Sequence, residues 1–137
     1  MFSNLKNKKI LITGNTGFKG AWLCLFLNNI GANVVGYADK IEWKNSIFTK
    51  KNINGFVKQY WNDIRDVNKV KEVFVKEKPD LVFHLAAQPI VLESYKNPFE
   101  TLNININGTI NVLDITKTLF PEIPLIIITS DKVYKNQ

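Results

Sequence analysis

The sequence predicts an α/β fold, an open and doubly wound parallel sheet, on three observations. Short apolar runs of strand length alternate along the chain with segments of helical period. The first run, Ile10-Leu11-Ile12, feeds at once into glycines spaced three apart, Gly14, Gly17 and Gly20, and then into an apolar segment of helical length. The fourth run, 80–87, is apolar almost throughout, as a parallel strand covered on both faces must be. At 137 residues the chain has the size of one domain and can bury a real core.

The first strand owes its importance to the turn that follows it. Gly14 lets the chain turn with positive φ, Gly17 removes a Cβ that would keep the backbone from a pyrophosphate, and Gly20 permits close packing of helix on strand. The helix, 21–30, then points its N–H groups and positive dipole end at the turn. Strand, glycine turn and helix in that order mark a dinucleotide site. Gly31 ends the helix, and 33–38, with Val34, Val35 and Tyr37, reads as the second strand. An acidic residue is expected at its end to accept from a ribose, but Ala38 stands there and Asp39 one residue later. Asp39 therefore has two readings, ribose acceptor or solvated turn aspartate.

A short helix and loop are predicted over 41–51, and a third strand over 56–61. Asp63-Ile64-Arg65-Asp66 follows. Asp63 is placed to accept from an adenine amino group, whereas Asp66 caps a helix over 67–78 whose Val67, Val70 and Phe74 share one face. Pro79 stops that helix. The fourth strand contains His84, whose apolar surroundings favour a packed, hydrogen-bonded core histidine over a catalyst. Ala86-Ala87 end this strand with small side chains where a cofactor would pass close to the backbone.

Asn97-Pro98-Phe99-Glu100 predicts a helix start, with Asn97 as N-cap, Pro98 at the first position and Glu100 closing a capping box. The next residues, 102–107, alternate apolar and polar as a strand does, but Leu102, Ile106, Ile110 and Leu113 form a helical stripe. The prediction is a helix over 98–119, then a fifth buried strand over 124–130. The expected strand order is 3-2-1-4-5. That order brings the glycine turn, Ala86-Ala87-Gln88 and Thr129-Ser130-Asp131-Lys132 to one crevice at the carboxyl ends of the strands.

Composition narrows the partners. The net charge is +6, yet every basic residue except Arg65 is lysine and the lysines are dispersed, so a solvated surface is favoured over a nucleic-acid partner. One Cys and one His argue against an internal disulfide and against a zinc site. Cys24, in the apolar first helix, fits a reducing cytoplasm. No apolar run approaches the ~18 residues of a membrane span, so the expectation is a cytoplasmic protein with no membrane partner.

Several stretches now carry a resemblance: T-G-N-T-G-F-K-G, D-I-R-D, F-H-L-A-A-Q-P, N-I-N-G-T-I-N-V-L and T-S-D-K-V-Y. In type and order they resemble CDP-glucose 4,6-dehydratases, extended short-chain dehydrogenase/reductase enzymes of nucleotide-sugar metabolism. Asn15 departs from the histidine more frequent there. The resemblance implies a Rossmann-type sheet and NAD as cofactor, cradled by Gly14, Thr16, Gly17, Phe18, Lys19, Gly20, Asp39, Asp63, Ile64, Leu85, Ala86, Ala87, Gln88 and Asn105. Asn105 matches a helix asparagine that supports the active site in this superfamily. The implied reaction oxidises the sugar at C4, eliminates water across C5 and C6, and returns hydride to C6. By motif position Ser130 would bond the C4 oxygen, Asp131 protonate the leaving C6 hydroxyl and Lys132 act at C5. From residue chemistry alone Asp131-Lys132 also reads as an exposed turn.

Such enzymes also use a Tyr-x-x-x-Lys pair. Four residues after Tyr37, Tyr60 and Tyr95 stand Ile41, Ile64 and Phe99, and Tyr134 is followed by only three residues. The resemblance therefore implies that 1–137 is the NAD-binding, amino-terminal part of a longer homo-oligomeric enzyme, its sheet truncated after the fifth strand and its sugar-nucleotide region absent. Alone, such a piece would be inactive. Two alternatives stay open: another sugar-nucleotide dehydratase or epimerase, such as the UDP-N-acetylglucosamine 4,6-dehydratases, and a non-catalytic dinucleotide-binding module.

Overall fold

A computed structural model describes residues 3–41 and 44–130. Strands β1 (Lys9–Thr13), β2 (Asn33–Ala38), β3 (Lys58–Trp61), β4 (Leu81–His84) and β5 (Leu125–Ile127) form one parallel sheet in the order β3-β2-β1-β4-β5. This is the predicted doubly wound, Rossmann-type arrangement. Its cause is the alternation of side chains along each strand. Ile10, Ile12 and Val34 pack under α1 (Phe18–Asn29) and α2 (Ile47–Lys50), through Cys24, Leu27 and Phe48. Leu11, Val35 and Val82 face the other way, against Val70, Val73 and Phe74 of α3 (Val67–Glu77).

Boundaries moved where local hydrogen bonds compete with the ladder. The third strand begins at Lys58 rather than residue 56, because a 3₁₀ turn over Ile53–Gly55 takes the Phe56 and Val57 amides onto the Ile53 carbonyl. The first helix begins at Phe18, with Gly17 as its N-cap. Asp66 caps α3 as predicted, accepting from the Lys69 amide at 3.1 Å, and Lys78 in the left-handed region ends that helix before Pro79. Val67, however, is exposed, and Val73 joins Val70 and Phe74 in the core.

After α4 (Val91–Lys96), the helix over 98–119 exists in three parts. They are α5 (Pro98–Leu102), a widened π turn over Asn103–Asn107, and α6 (Gly108–Leu119). The predicted capping box is absent. Asn97 makes no side-chain cap bond, and Glu100 reaches instead to Arg65, 2.6 Å away. The apolar stripe also faces outward: Leu102, Ile106, Ile110 and Leu113 are all about half exposed, while Val112 and Ile115 fill the core. A stripe identifies an apolar face but not what lies under it. Among the described residues no helix is long and apolar enough to cross a membrane.

Candidate active site at the carboxyl ends of the strands

β1 delivers its glycine turn directly onto the exit of β4. Gly14 has φ +70°, and a Cβ there would lie 2.6 Å from the Ala86 nitrogen and 2.7 Å from the Leu85 carbonyl carbon. No L-side chain fits, so the sequence needs glycine here for conformation and for space. Gly20 is excluded from bearing a side chain by the turn itself, since its Cβ would run into Gly14 and Asn15. The close packing predicted for Gly20 is thus helix on turn more than helix on strand. Gly17 caps α1 without any side-chain bond, and the first helical turn, with exposed Phe18 and Lys19, contains no acidic residue.

Neighbouring loops are tied to this turn. The Thr16 hydroxyl donates to the Lys40 carbonyl at 2.8 Å, which fastens the turn to the segment after β2 that carries exposed Asp39. Asn15 is fully buried and donates to Gln59 Oε1 at 2.7 Å. It also lies where a Cβ on Gly36 would have to go. Cys24, beside it, is pushed up to about 12 by burial, which makes the thiol inert near neutral pH.

On the β3 side, Tyr37 Oη donates to the Asp63 carbonyl at 2.9 Å, and Asn111 Nδ2 donates to the carbonyls of Ile64 and Arg65 at 3.1 and 3.0 Å. Ile64 is buried against Gly108. Both Asp63 carboxylate oxygens are engaged by the Arg65 guanidinium, whose hydrogen bonds hold Asp63 below its ordinary range. The Asp63 carboxylate is therefore already shared with its neighbour.

On the β4 side, Leu85 and Ala86 both donate backbone amides to Thr13 Oγ1 at 3.2 Å. Gln88 is gripped by Asn105, which accepts from its amide at 2.7 Å and donates to its carbonyl at 3.2 Å. His84 is buried between Thr13 and Thr109, as a core histidine should be. The structure thus joins Gly14, Leu85 and Ala86, and separately Gln88 and Asn105. Ala87 lies exposed between those two groups. Ser130 lies exposed beyond β5. Asp131 and Lys132 fall outside the described residues. Thr13, Thr109 and Asn111 also build this edge, and nothing in their sequence setting distinguishes them from ordinary strand and helix residues.

The fold and site can be set against known proteins. The GDP-mannose 4,6 dehydratase family model matches residues 11–136. The chain is 40% identical to CDP-glucose 4,6-dehydratase of Salmonella typhimurium over 96% of its own length and 37% of that enzyme's. It is 31% identical to CDP-paratose 2-epimerase of Salmonella typhi, over 92% of this chain and 38% of the relative. A UDP-glucose 4-epimerase structure from Stenotrophomonas maltophila, with bound NAD and formylated UDP-arabinopyranose, superposes with a TM-score of 0.80 at 28% identity, covering 95% of this chain and 39% of that one. The chain thus spans under two-fifths of the length of these relatives. With its five-stranded parallel sheet and glycine turn, it belongs to the GDP-mannose 4,6-dehydratase family, sugar-nucleotide enzymes of the extended short-chain dehydrogenase/reductase type.

Proposed function

We propose that residues 1–137 are the dinucleotide-binding part of a NAD-dependent sugar-nucleotide 4,6-dehydratase acting on CDP-glucose. The observation that carries this reading is the seat of the glycine turn, where a Cβ on Gly14 would strike the Leu85–Ala86 backbone. Backbone from two strands meets there with no side chain between, beside an uncapped helix N-terminus. Those features fit a pyrophosphate, which needs close backbone approach and a positive dipole end. Gly14, Thr16, Gly17, Phe18, Lys19 and Gly20 would hold it. Asp63 and Ile64 would face the adenine, Asp39 the ribose, and Leu85, Ala86, Ala87, Gln88 and Asn105 the middle of the cofactor.

NAD, when bound, supplies the hydride acceptor for sugar C4 and the donor for C6. Ser130 would hydrogen-bond the C4 oxygen, Asp131 would give its proton to the departing C6 hydroxyl, and Lys132 would take the C5 proton. Water then leaves across C5 and C6. An acid and a base of this kind each contribute about 10²–10⁴-fold when positioned on the same substrate. The 40% identity to a CDP-glucose 4,6-dehydratase favours this substrate over those of other family members. A homo-oligomeric, cytoplasmic enzyme completes the proposal.

Calorimetric titration with NAD and NADP tests the cofactor side. NAD should bind more tightly, because the segment after β2 contains Asp39 and no arginine for a 2′-phosphate. Tighter NADP binding would defeat the assignment. On the substrate side, the 137-residue chain alone should form no 4-keto-6-deoxy product from CDP-glucose, for want of the Tyr-x-x-x-Lys pair. Sustained turnover by it would refute that part.

A further inference from the structure

The hydrogen bonds around His84 have only one consistent direction. The Thr109 hydroxyl donates to the Asn105 carbonyl at 2.7 Å, so its single proton is committed. At its 3.0 Å contact with His84 Nε2, Thr109 must therefore accept, and Nε2 carries the hydrogen. A neutral ring then has a bare Nδ1, which lies 2.7 Å from Thr13 Oγ1 and accepts from it. The two lone pairs of Thr13 Oγ1 meet the amides of Leu85 and Ala86, each at 3.2 Å. The Leu85 amide is shared, since it also reaches the Thr13 carbonyl at 3.1 Å. Turning the Thr109 hydroxyl toward Nε2 instead would take the hydroxyl's proton from the Asn105 carbonyl and, in the neutral ring, bring an Nδ1 hydrogen as a third donor onto Thr13 Oγ1, which has only two lone pairs.

We propose that Thr13, His84 and Thr109 form a one-way hydrogen-bond chain that positions the Asn105 carboxamide against the Gln88 peptide, making His84 a positioning residue of the dinucleotide cleft. One end of the chain fixes Leu85 and Ala86, which lie against Gly14. The other end fixes the π turn over Asn103–Asn107, from which Asn105 grips both the amide and the carbonyl of Gln88. The segment from Leu85 to Gln88, which would line the cofactor, is thus held at both ends by groups joined through one imidazole. Burial supports the neutral state by pushing the His84 pKa down to about 4. The link to cofactor rests on the dinucleotide reading above; the link to Gln88 does not.

His84 is the sole histidine, so ¹⁵N-histidine labelling of the 137-residue chain reports a single ring. The ring should show the Nε2-protonated tautomer at neutral pH, and the Nδ1-protonated form would overturn the chain of bonds. Thr109→Val removes the hydroxyl at nearly constant volume and leaves the Nε2 hydrogen without an acceptor, whereas Thr109→Ser restores it. Hydrogen exchange at the Gln88 amide, read by mass spectrometry, should accelerate about tenfold or more in Thr109→Val and return to the parent rate in Thr109→Ser. The dissociation constant for NADH, followed by its fluorescence, should rise about tenfold in Thr109→Val, with the same rescue. Unchanged Gln88 exchange in a folded Thr109→Val variant would overturn the proposal. Should the parent chain fail to bind NADH, the dinucleotide reading falls, while the tautomer and exchange results still decide the positioning role.

Discussion

The two ends of one sheet hold buried polar groups in opposite ways. At the amino ends of the strands, the Glu77 carboxylate is only 2% exposed and takes Lys58 at 2.6 Å, Lys9 at 3.3 Å and the Tyr60 hydroxyl at 2.5 Å. Burial alone would raise its pKa, but hydrogen bonds from Lys58, Tyr60 and Lys9 outweigh that and hold it at about 2. A charge here is compensated by the chain itself. At the carboxyl ends, the Thr13–His84–Thr109 network is neutral throughout, and the neighbouring helix α1 has no side-chain cap. The first arrangement closes an end of the sheet. The second leaves the positive dipole end of α1 without a side-chain cap among the described residues, a setting that suits an anionic ligand.

Two glycines with left-handed backbone give the largest expected contrast. Gly14 (φ +70°) meets backbone at 2.6 Å, whereas Gly31 (φ +83°), between α1 and β2, faces only the Lys6 side chain at 3.3 Å. Both Ala variants incur the backbone cost of about 1–2 kcal/mol. Only Gly14→Ala adds an overpacking cost of about 1–3 kcal/mol, because neither Leu85 nor Ala86 backbone can move aside as a lysine can. Urea midpoints should therefore fall well below the parent for Gly14→Ala and modestly for Gly31→Ala. Equal losses would mean that the β1–β4 seam is no tighter than an ordinary turn.

Acid should separate the two ends by pH window. His84 has a folded pKa of about 4 against 6.5 for the free group, so the unfolded chain binds the extra proton and stability falls as pH drops from about 6.5 to 4. Glu77, at about 2 against 4.5, contributes stability that is present above about 4.5 and lost as pH falls toward 2. Each shift corresponds to at most about 3 kcal/mol, less where the exposed lysine heads around Glu77 are screened. Asp63 and Asp80, also held below their ordinary range, add to the lower window. Denaturant midpoints recorded against pH should show the upper slope vanish in His84→Gln and persist in Glu77→Gln. A single slope confined below pH 4 would contradict a neutral His84.

These two ends were not equally legible in the sequence. The glycine turn could be read because its demands are local: positive φ at Gly14 and close approach at Gly20 are met by residues within one short stretch. Asp66 was legible as a cap for the same reason, three residues from the amide it accepts. Glu100 was misread because its partner, Arg65, is 35 residues away and no local pattern announces it. The relay through His84 spans a separation of 71 residues to Thr13 and 25 to Thr109, and threonine in a strand or helix gives no signal of its own. The alternation over 102–107 resembles a strand, yet it lies across a π turn in which Ile104 packs against the core while Leu102 and Ile106 stay about half exposed.

The smallest effect is expected at Arg65, in the turn just past the carboxyl end of β3. Its guanidinium joins Asp63 to Glu100, with Nε 3.0 Å from both Asp63 oxygens and a second nitrogen 2.6 Å from Glu100. Bidentate geometry favours the pair, yet Arg65, Asp63 and Glu100 are 29%, 39% and 49% exposed, so water screens them far more than it does Glu77. The turn is also held without them. Tyr37 bonds the Asp63 carbonyl, and Asn111 bonds the carbonyls of Ile64 and Arg65. Arg65→Ala should therefore lower stability by about 1 kcal/mol or less. Raising the salt to about 1 M, where screening acts within about 3 Å, should erase most of that difference. Glu77→Gln should keep the larger part of its effect in the same salt, because its carboxylate is out of reach of the solvent ions. A loss at Arg65 that exceeds that at Glu77, or that ignores salt, would show that the Asp63 turn is held by charge and not by its carbonyls.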